Sequence, residues 1–151
     1  MALRNIVKYG DPVLRKKSRV VEKFDSKLAT LIDDMIQTMR NADGVGLAAV
    51  QVGVLKRVVV IDIGEGVMEL VNPEIIEESD DVQVTPEGCL SLPGQTGTTS
   101  RPMTVKVKAQ DRNGKWYIHK GSELKAKAFC HEIDHLDGIL YIDKLVESSE
   151  D

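Results

Sequence analysis

Residues 122–138 read SELKAKAFCHEIDHLDG and predict an α-helix. Ser122 is a candidate N-cap, and Glu123 places a negative charge in the first turn. The helix is expected to run to about residue 137, because Gly138 is a natural residue just past a helix end. The remaining elements are interpreted around this helix.

The helix contains an H-E-x-x-H pattern, with histidines at positions 131 and 135. Residues four apart lie on one helix face about one turn apart, so His131 and His135 can bind one metal ion. Glu132 lies beside a ligand and can reach a water at the metal without binding the metal itself. Leu124 and Ala128 project from the same face and place apolar surface beside this site. The chain has three histidines in all, so a chance pair is the weaker interpretation.

A catalytic metal site needs a third protein ligand and one open position. Sixteen residues follow His135 and none is a histidine, while Glu147 and Glu150 lie in a polar tail. The third ligand is therefore expected upstream. Cys89 is the best candidate, because the glycine and proline in residues 86–91, PEGCLS, imply a tight turn. A buried, inert cysteine is the alternative.

Two other potential ligands are given structural roles. Cys130 adjoins His131 but points about 100° away around the helix, so we interpret it as a small core residue. His119 lies in a predicted hairpin strand without partners in sequence and is expected at the surface.

Residues 44–53, GVGLAAVQVG, form a glycine-rich segment. It follows a helix instead of a strand and lacks a Lys-Ser/Thr pair, which argues against a dinucleotide or phosphate loop. Gln51 is polar within an apolar run and needs a hydrogen-bond partner if it is buried. On the residues alone, a role in holding this loop in place is the first interpretation.

The remaining pattern predicts an α+β domain spanning residues 1–151, with antiparallel β-sheets around the central metal-motif helix. Asp25 can cap an N-terminal amphipathic helix that ends at the glycines at 44 and 46. Its apolar residues recur at three- and four-residue steps: Leu28, Leu31, Ile32, Met35, Ile36 and Met39. Strands are expected over residues 57–63, 67–71, 74–78, 103–109 and 116–118, with a break at Asn72-Pro73 and a type I′ turn at Asn113-Gly114.

Composition excludes several classes of protein. The net charge is -4, with 20 basic against 24 acidic side chains, which argues against a broad nucleic-acid surface. Two cysteines are too few for a disulfide scaffold, and the N-terminus shows neither a signal peptide nor a membrane segment. We therefore expect a cytoplasmic protein.

Three segments together resemble the signature motifs of the peptide deformylases. G-x-G-L-A-A-x-Q matches residues 44–51, E-G-C-L-S matches 87–91, and H-E-x-D-H matches 131–135. They occur in the family's order, and residues 9–15 are similar to its typical N-terminal segment. The resemblance implies a hydrolase that removes the formyl group from the N-terminal formyl-methionine of newly made proteins and releases formate.

The resemblance also implies roles for individual residues. One divalent metal, natively Fe²⁺ with Zn²⁺, Ni²⁺ or Co²⁺ also accepted, would be held by Cys89, His131 and His135. Glu132 would act as general base and then acid, and Gln51 and the backbone N–H of Leu90 would stabilise the oxyanion. The residues expected to bind the substrate are Val45, Gly46, Gly88, Leu124 and Ala128.

The chain departs from some relatives at Gly94, Thr96 and Lys127, which affects substrate contacts more than chemistry. Any ribosome contact is expected to be transient, because no C-terminal docking helix is predicted.

Two alternatives remain: an H-E-x-x-H peptidase that cleaves internal bonds, and a structural zinc module. A structural zinc site would be closed by a fourth protein ligand.

Overall fold

The computed structural model describes residues 2–147. Within this range there are two α-helices, α1 (Ser26–Asn41) and α2 (Leu124–Leu136). The strands are β1 (Gly46–Ala48), β2 (Val58–Ile61), β3 (Met68–Glu78), β4 (Val82–Cys89), β5 (Leu92–Pro102), β6 (Thr104–Gln110) and β7 (Trp116–Ser122). Short 3₁₀ helices span Pro12–Arg15, Ala49–Val52 and Tyr141–Lys144.

The strands form two antiparallel sheets. One has five strands in the order β1-β2-β3-β6-β7, and the other is the β4-β5 hairpin. Every neighbouring pair is antiparallel. The result is a mixed fold of antiparallel sheets and two helices, as predicted at this level.

The five-stranded sheet lies between the two helices. Val58 and Val60 of β2 belong to the cluster that includes the buried face of α1, whereas Val59 and Ile61 pack with residues of α2. This explains why β2 is an unbroken β-branched run instead of an alternating one, since both of its faces are buried. Each such side chain stabilises the fold by about 1.5–3 kcal/mol through burial.

The first helix begins where its cap was predicted. The Asp25 side chain accepts a hydrogen bond from the Leu28 backbone N–H at 3.0 Å. Leu28, Ile32 and Met35 are fully buried on its inner face. The helix carries the chain to the loop that precedes β1.

The start of α2 differs from the prediction. Ser122 does not cap the helix: it ends β7, and its Oγ lies 3.1 Å from Thr104 Oγ1. The N-cap is Glu123, at φ 57° and ψ −123°, and its side chain makes no capping hydrogen bond. The β6–β7 pairing sets this geometry, because the Glu123 backbone N–H donates to Met103 O at 2.9 Å. The C-terminal prediction is confirmed, with Gly138 at φ 75°.

The predicted break at Asn72-Pro73 is wrong. Strand β3 continues through it, with a shift in its register against β6 between Val71 and Glu74. Asn72 adopts φ 52° and exchanges hydrogen bonds with the Val21 backbone, donating at 3.0 Å and accepting at 2.8 Å. These contacts support a bulge where a strand end was expected.

The β6–β7 hairpin forms where predicted, but its turn is not type I′. A type I′ turn requires positive φ at both central residues, and Asn113 is not among the residues with positive φ. Gly114 adopts φ 85°, and its N–H donates to Asp111 O at 3.0 Å. The Asp111 carboxylate also accepts from the backbone N–H groups of Asn113 and Lys115, and these bonds shape the five-residue connection between β6 and β7.

No helix within residues 2–147 is long and apolar enough to span a membrane. The polar tail, for which no docking helix was predicted, lies outside the described residues from position 148 onward.

Candidate metal centre and active site

Helix α2 and the end of β4 bring a thiol and two imidazoles together. One potential ligand atom from each of Cys89, His131 and His135 lies within 4.8 Å of the others. Cys89 Sγ is 3.3 Å from His135 Nε2. Tetrahedral ligands with bonds of about 2.0–2.3 Å lie roughly 3.3–3.7 Å apart, so this spacing fits one metal ion. Among the described residues, no fourth group joins the three.

The orientation of His131 is set by a buried ionic network. Glu87 Oε2 lies 2.5 Å from His131 Nδ1, which leaves Nε2 free to face the ligand cluster. Glu87 also accepts hydrogen bonds from Thr99 Oγ1 at 2.7 Å and from two guanidinium nitrogens of Arg101 at 3.0 and 2.7 Å. Arg101 in turn contacts Asp134 Oδ2 at 2.7 Å. Outer contacts of this kind fix the ring orientation of a metal-binding histidine.

The network also keeps Glu87 ionised. Burial alone would raise the pKa of its carboxyl group, but the hydrogen bonds to His131 and Arg101 hold that pKa well below its usual value. Sequence analysis did not give Glu87, Thr99 or Arg101 a role in the site. The only available signal was Glu87 itself, an acidic residue directly before the Gly-Cys pair.

Glu132 lies in a buried position beside the ligand cluster. Its Oε1 has no hydrogen-bond partner among the described residues, and its Oε2 is 3.9 Å from His131 Nε2. Burial raises the pKa of Glu132 to about 7. A side chain at Gly46 would clash, because an added Cβ would lie 2.5 Å from Glu132 Oε2. The glycine at this position of β1 therefore lets the backbone approach the carboxylate.

Gln51 is buried and makes hydrogen bonds through both its side-chain oxygen and its side-chain nitrogen. Its Oε1 accepts from the Ala48 backbone N–H at 3.0 Å, which fixes the turn after β1. Its Nε2 donates to Ser91 Oγ at 3.1 Å and lies 3.5 Å from Cys89 Sγ. The same amide thus holds the loop and presents a donor beside the ligand cluster.

These groups line one cavity of about 440 Å³ between β1, the β4–β5 turn and α2. All the predicted catalytic and substrate-binding residues line it: Val45, Gly46, Gln51, Gly88, Leu90, Leu124, Ala128 and Glu132. Cys89 and His131 also face it, whereas His135 is fully buried behind them. The exposed fractions of Val45 and Leu124 are 45% and 44%, so these two residues present apolar surface to solvent on the cavity lining.

Cys130 and His119, which the sequence did not assign to the metal site, lie outside the cavity lining. Cys130 is buried in the core shared by α2 and the sheet, and burial raises the pKa of its thiol to about 12. His119 is half-buried, with its ring 5.9 Å from that of Phe129 and its Nε2 3.2 Å from Lys125 Nζ. Neither belongs to the ligand cluster.

Comparison with known proteins gives a consistent result. The sequence model of the family described as polypeptide deformylase matches residues 3–151. A peptide deformylase of Alkaliphilus metalliredigens is 61% identical over 147 residues, covering 97% of this chain and 99% of the relative. Peptide deformylase 1 of Clostridium acetobutylicum is 59% identical over 148 residues, covering 98% of each chain. The crystal structure of peptide deformylase from Thermotoga maritima superimposes with a TM-score of 0.95 at 42% identity, covering 97% of this chain and 100% of that one.

An antiparallel fold with a thiol and two imidazoles beside a buried carboxylate defines a small metal-dependent hydrolase. The match over nearly the whole length shows that the chain belongs to the polypeptide deformylase family. Its activity is the removal of the formyl group from the N-terminal methionine of nascent peptides.

Proposed function

We propose that deformylation takes place in the cavity between β1, the β4–β5 turn and α2, and that residues 1–151 act as a single catalytic domain. The observation that carries this proposal is the approach of Cys89, His131 and His135 to within 4.8 Å of one another on the wall of that cavity. A buried carboxylate and a buried amide beside the same cluster supply the remaining chemistry.

Cys89, His131 and His135 would hold one divalent cation, natively Fe²⁺, with Zn²⁺, Ni²⁺ or Co²⁺ as substitutes. One soft thiolate and two imidazoles suit these ions better than Mg²⁺ or Ca²⁺. When bound, such a cation would polarise the formyl carbonyl and lower the pKa of water toward the neutral range.

Glu132 would carry the proton. Its carboxylate takes a proton from the water that attacks the formyl carbon and delivers it to the amine nitrogen as the C–N bond breaks. Formate and a free amino terminus are the products. A positioned acid–base group of this kind contributes about 10²- to 10⁴-fold to the rate.

Gln51 and the backbone N–H of Leu90 would stabilise the oxygen that becomes negative in the tetrahedral intermediate. Gln51 is held by Ala48 and Ser91, so its donor is oriented before the substrate binds. An oriented donor of this kind contributes about 3 kcal/mol to transition-state stabilisation.

The substrate would bind as an extended strand. β1 is an edge strand of the five-stranded sheet, so its free side can pair with a peptide backbone along Val45 and Gly46, opposite Gly88. Leu124 and Ala128 lie on the cavity face of α2 and would contact the methionine side chain. The substrates are formyl-methionyl nascent polypeptides, met in the cytoplasm with at most transient ribosome contact.

Formate release tests the proposal directly. Protein prepared without oxygen and loaded with Fe²⁺ should release formate from a formyl-Met peptide, with about one metal ion bound per chain on the same sample. Casein serves as the control for internal cleavage and should stay intact. Casein cleavage without formate release would contradict the proposal.

A further inference from the structure

Lys127 lines the cavity and connects α2 to β4. Its ammonium donates to Thr85 Oγ1 at 3.1 Å and to Pro86 O at 2.9 Å. A lysine ammonium carries three N–H donors, so one donor is left after these two bonds. Among the described residues, no carboxylate forms an ion pair with it. Lys127 therefore gives the cavity wall a cationic residue that has no carboxylate partner and one N–H not used by β4.

The position of Lys127 relates it to the first side chain of the substrate. It precedes His131 by four residues, slightly more than one helical turn or about 6 Å along the axis, and lies between Leu124 and Ala128 in the sequence of the cavity lining. A methionine side chain reaches roughly the same distance from its Cα atom. A side chain that enters beside His131 and follows α2 therefore ends near Lys127.

We propose that Lys127 is a specificity residue whose free N–H binds an acceptor atom at the tip of the first substrate side chain. This inference rests on the proposed use of the cavity for that side chain. The substrate class it selects, besides formyl-methionine, is peptides that begin with formyl-methionine sulfoxide. Hydrolysis itself is unchanged: the C–N bond of the formamide breaks, and formate leaves.

The chemistry of the first substrate side chain supports methionine sulfoxide as the group that Lys127 selects. The thioether sulfur of methionine is a weak acceptor, whereas the oxygen of its sulfoxide is a strong one. In a wholly apolar pocket, the sulfoxide would lose its hydration without compensation. Lys127 supplies a charged donor at that point. Norleucine, which has nearly the shape of methionine but no acceptor, would leave that donor without a partner.

The competing interpretation is that Lys127 only fastens α2 to β4. In that case its removal would lower stability and affect all substrates equally. The ratio of kcat/KM between two substrates separates the interpretations, because a general structural effect cancels in the ratio.

The experiment compares three peptides that differ only in the first residue, which is formyl-methionine, formyl-norleucine or formyl-methionine sulfoxide. In the wild-type protein, kcat/KM for the sulfoxide peptide should exceed that for the norleucine peptide by about tenfold, as expected for a charged hydrogen bond. Lys127→Met should lower this ratio by about tenfold, while Lys127→Arg, which keeps a charged donor, should retain most of it. Lys120→Met is the matched control, because Lys120 is exposed on β7 away from the cavity.

Two results would overturn the inference: a wild-type preference for norleucine over the sulfoxide, or a ratio that Lys127→Met leaves unchanged. Calorimetric binding of the same peptides to a Glu132→Ala variant gives the order of affinity without turnover. If no peptide releases formate, the proposed function fails, while the order of affinities still decides the role of Lys127.

Discussion

The carboxylate of Glu87 lies 2.5 Å from Nδ1 of His131, and both side chains are buried. The contact joins the end of β4 to the middle of α2 by way of one imidazole. Because it occupies Nδ1, only Nε2 remains to bind a metal. Strand β4 thus carries Cys89, a proposed ligand, and also, two residues earlier, the group that orients His131, a second proposed ligand.

Replacing Glu87 with Gln should weaken metal binding. The amide keeps the shape but removes the charge that His131 and Arg101 share, so the metal dissociation constant should rise about 10- to 100-fold. Competition with a chromogenic chelator measures this constant. Glu77→Gln is the matched control, since Glu77 is exposed and its one ion pair within residues 2–147 is with Lys106. Equal metal affinity in both variants would contradict the assigned role.

Replacing Glu132 with Ala should separate metal binding from turnover. Cys89, His131 and His135 remain in place, so the variant should keep its metal while kcat falls by about 10²- to 10⁴-fold. Metal analysis and formate release on one sample test both parts. Retention of full turnover would show that Glu132 is not the proton carrier. A structural zinc module, the alternative without catalysis, would keep its fold and partner binding in this variant.

Gln51→Glu tests the amide donor without disturbing the loop. The carboxylate still accepts from the Ala48 backbone N–H, whereas the donor toward Ser91 and the reacting oxygen is lost. We expect kcat to fall about 10²- to 10³-fold, and the newly buried carboxylate should also lower the midpoint of thermal unfolding. If stability falls and kcat does not, Gln51 only holds the loop.

Glu123→Gly should stabilise the protein. Glu123 adopts φ 57°, its side chain is exposed and makes no capping bond, and its backbone contacts to Met103 and Gln83 would survive in glycine. Relief of backbone strain should exceed the entropy cost of glycine by about 1 kcal/mol, which raises the midpoint of thermal unfolding by about 2–4 °C.

Asn72→Gly is the matched control for this prediction. Asn72 also has positive φ, but its side chain bonds the Val21 backbone and Gln110, so glycine should destabilise the fold there. A gain in stability in both variants would show that these hydrogen bonds contribute little.

The choice of metal should govern survival in air. Iron bound by a thiolate is prone to oxidation, so the Fe²⁺-loaded protein should lose activity on exposure to oxygen. Replacement with Ni²⁺ or Co²⁺ should prevent this loss. Activity followed over time under air and under argon measures the effect, and air-stable activity with iron would count against a Cys89-bound Fe²⁺ centre.

The helices, and the closeness of Cys89 to His131 and His135, follow from the sequence better than the connections between strands do. The pattern from Leu28 to Met39 and the pair His131 and His135 are local, because they depend on the 3.6-residue period of a helix. The errors at Ser122 and at Asn72-Pro73 share a cause, because hydrogen bonds to residues distant in sequence fix the backbone there and local propensity does not register such partners. The error at the Asn113 turn has a local cause, since the Asp111 carboxylate accepts from Asn113 and Lys115.

The sequence by itself determined which side chains are candidates for the chemistry, because H-E-x-x-H, the Gly-Cys pair and Gln51 are written along the chain. Only the tertiary structure decided how those side chains are oriented. The pairing of β4 with β5 brings Thr99 and Arg101 to Glu87, and the packing of α2 brings Glu87 to His131. Orientation depends on contacts between residues far apart in sequence, and only folding brings those residues together.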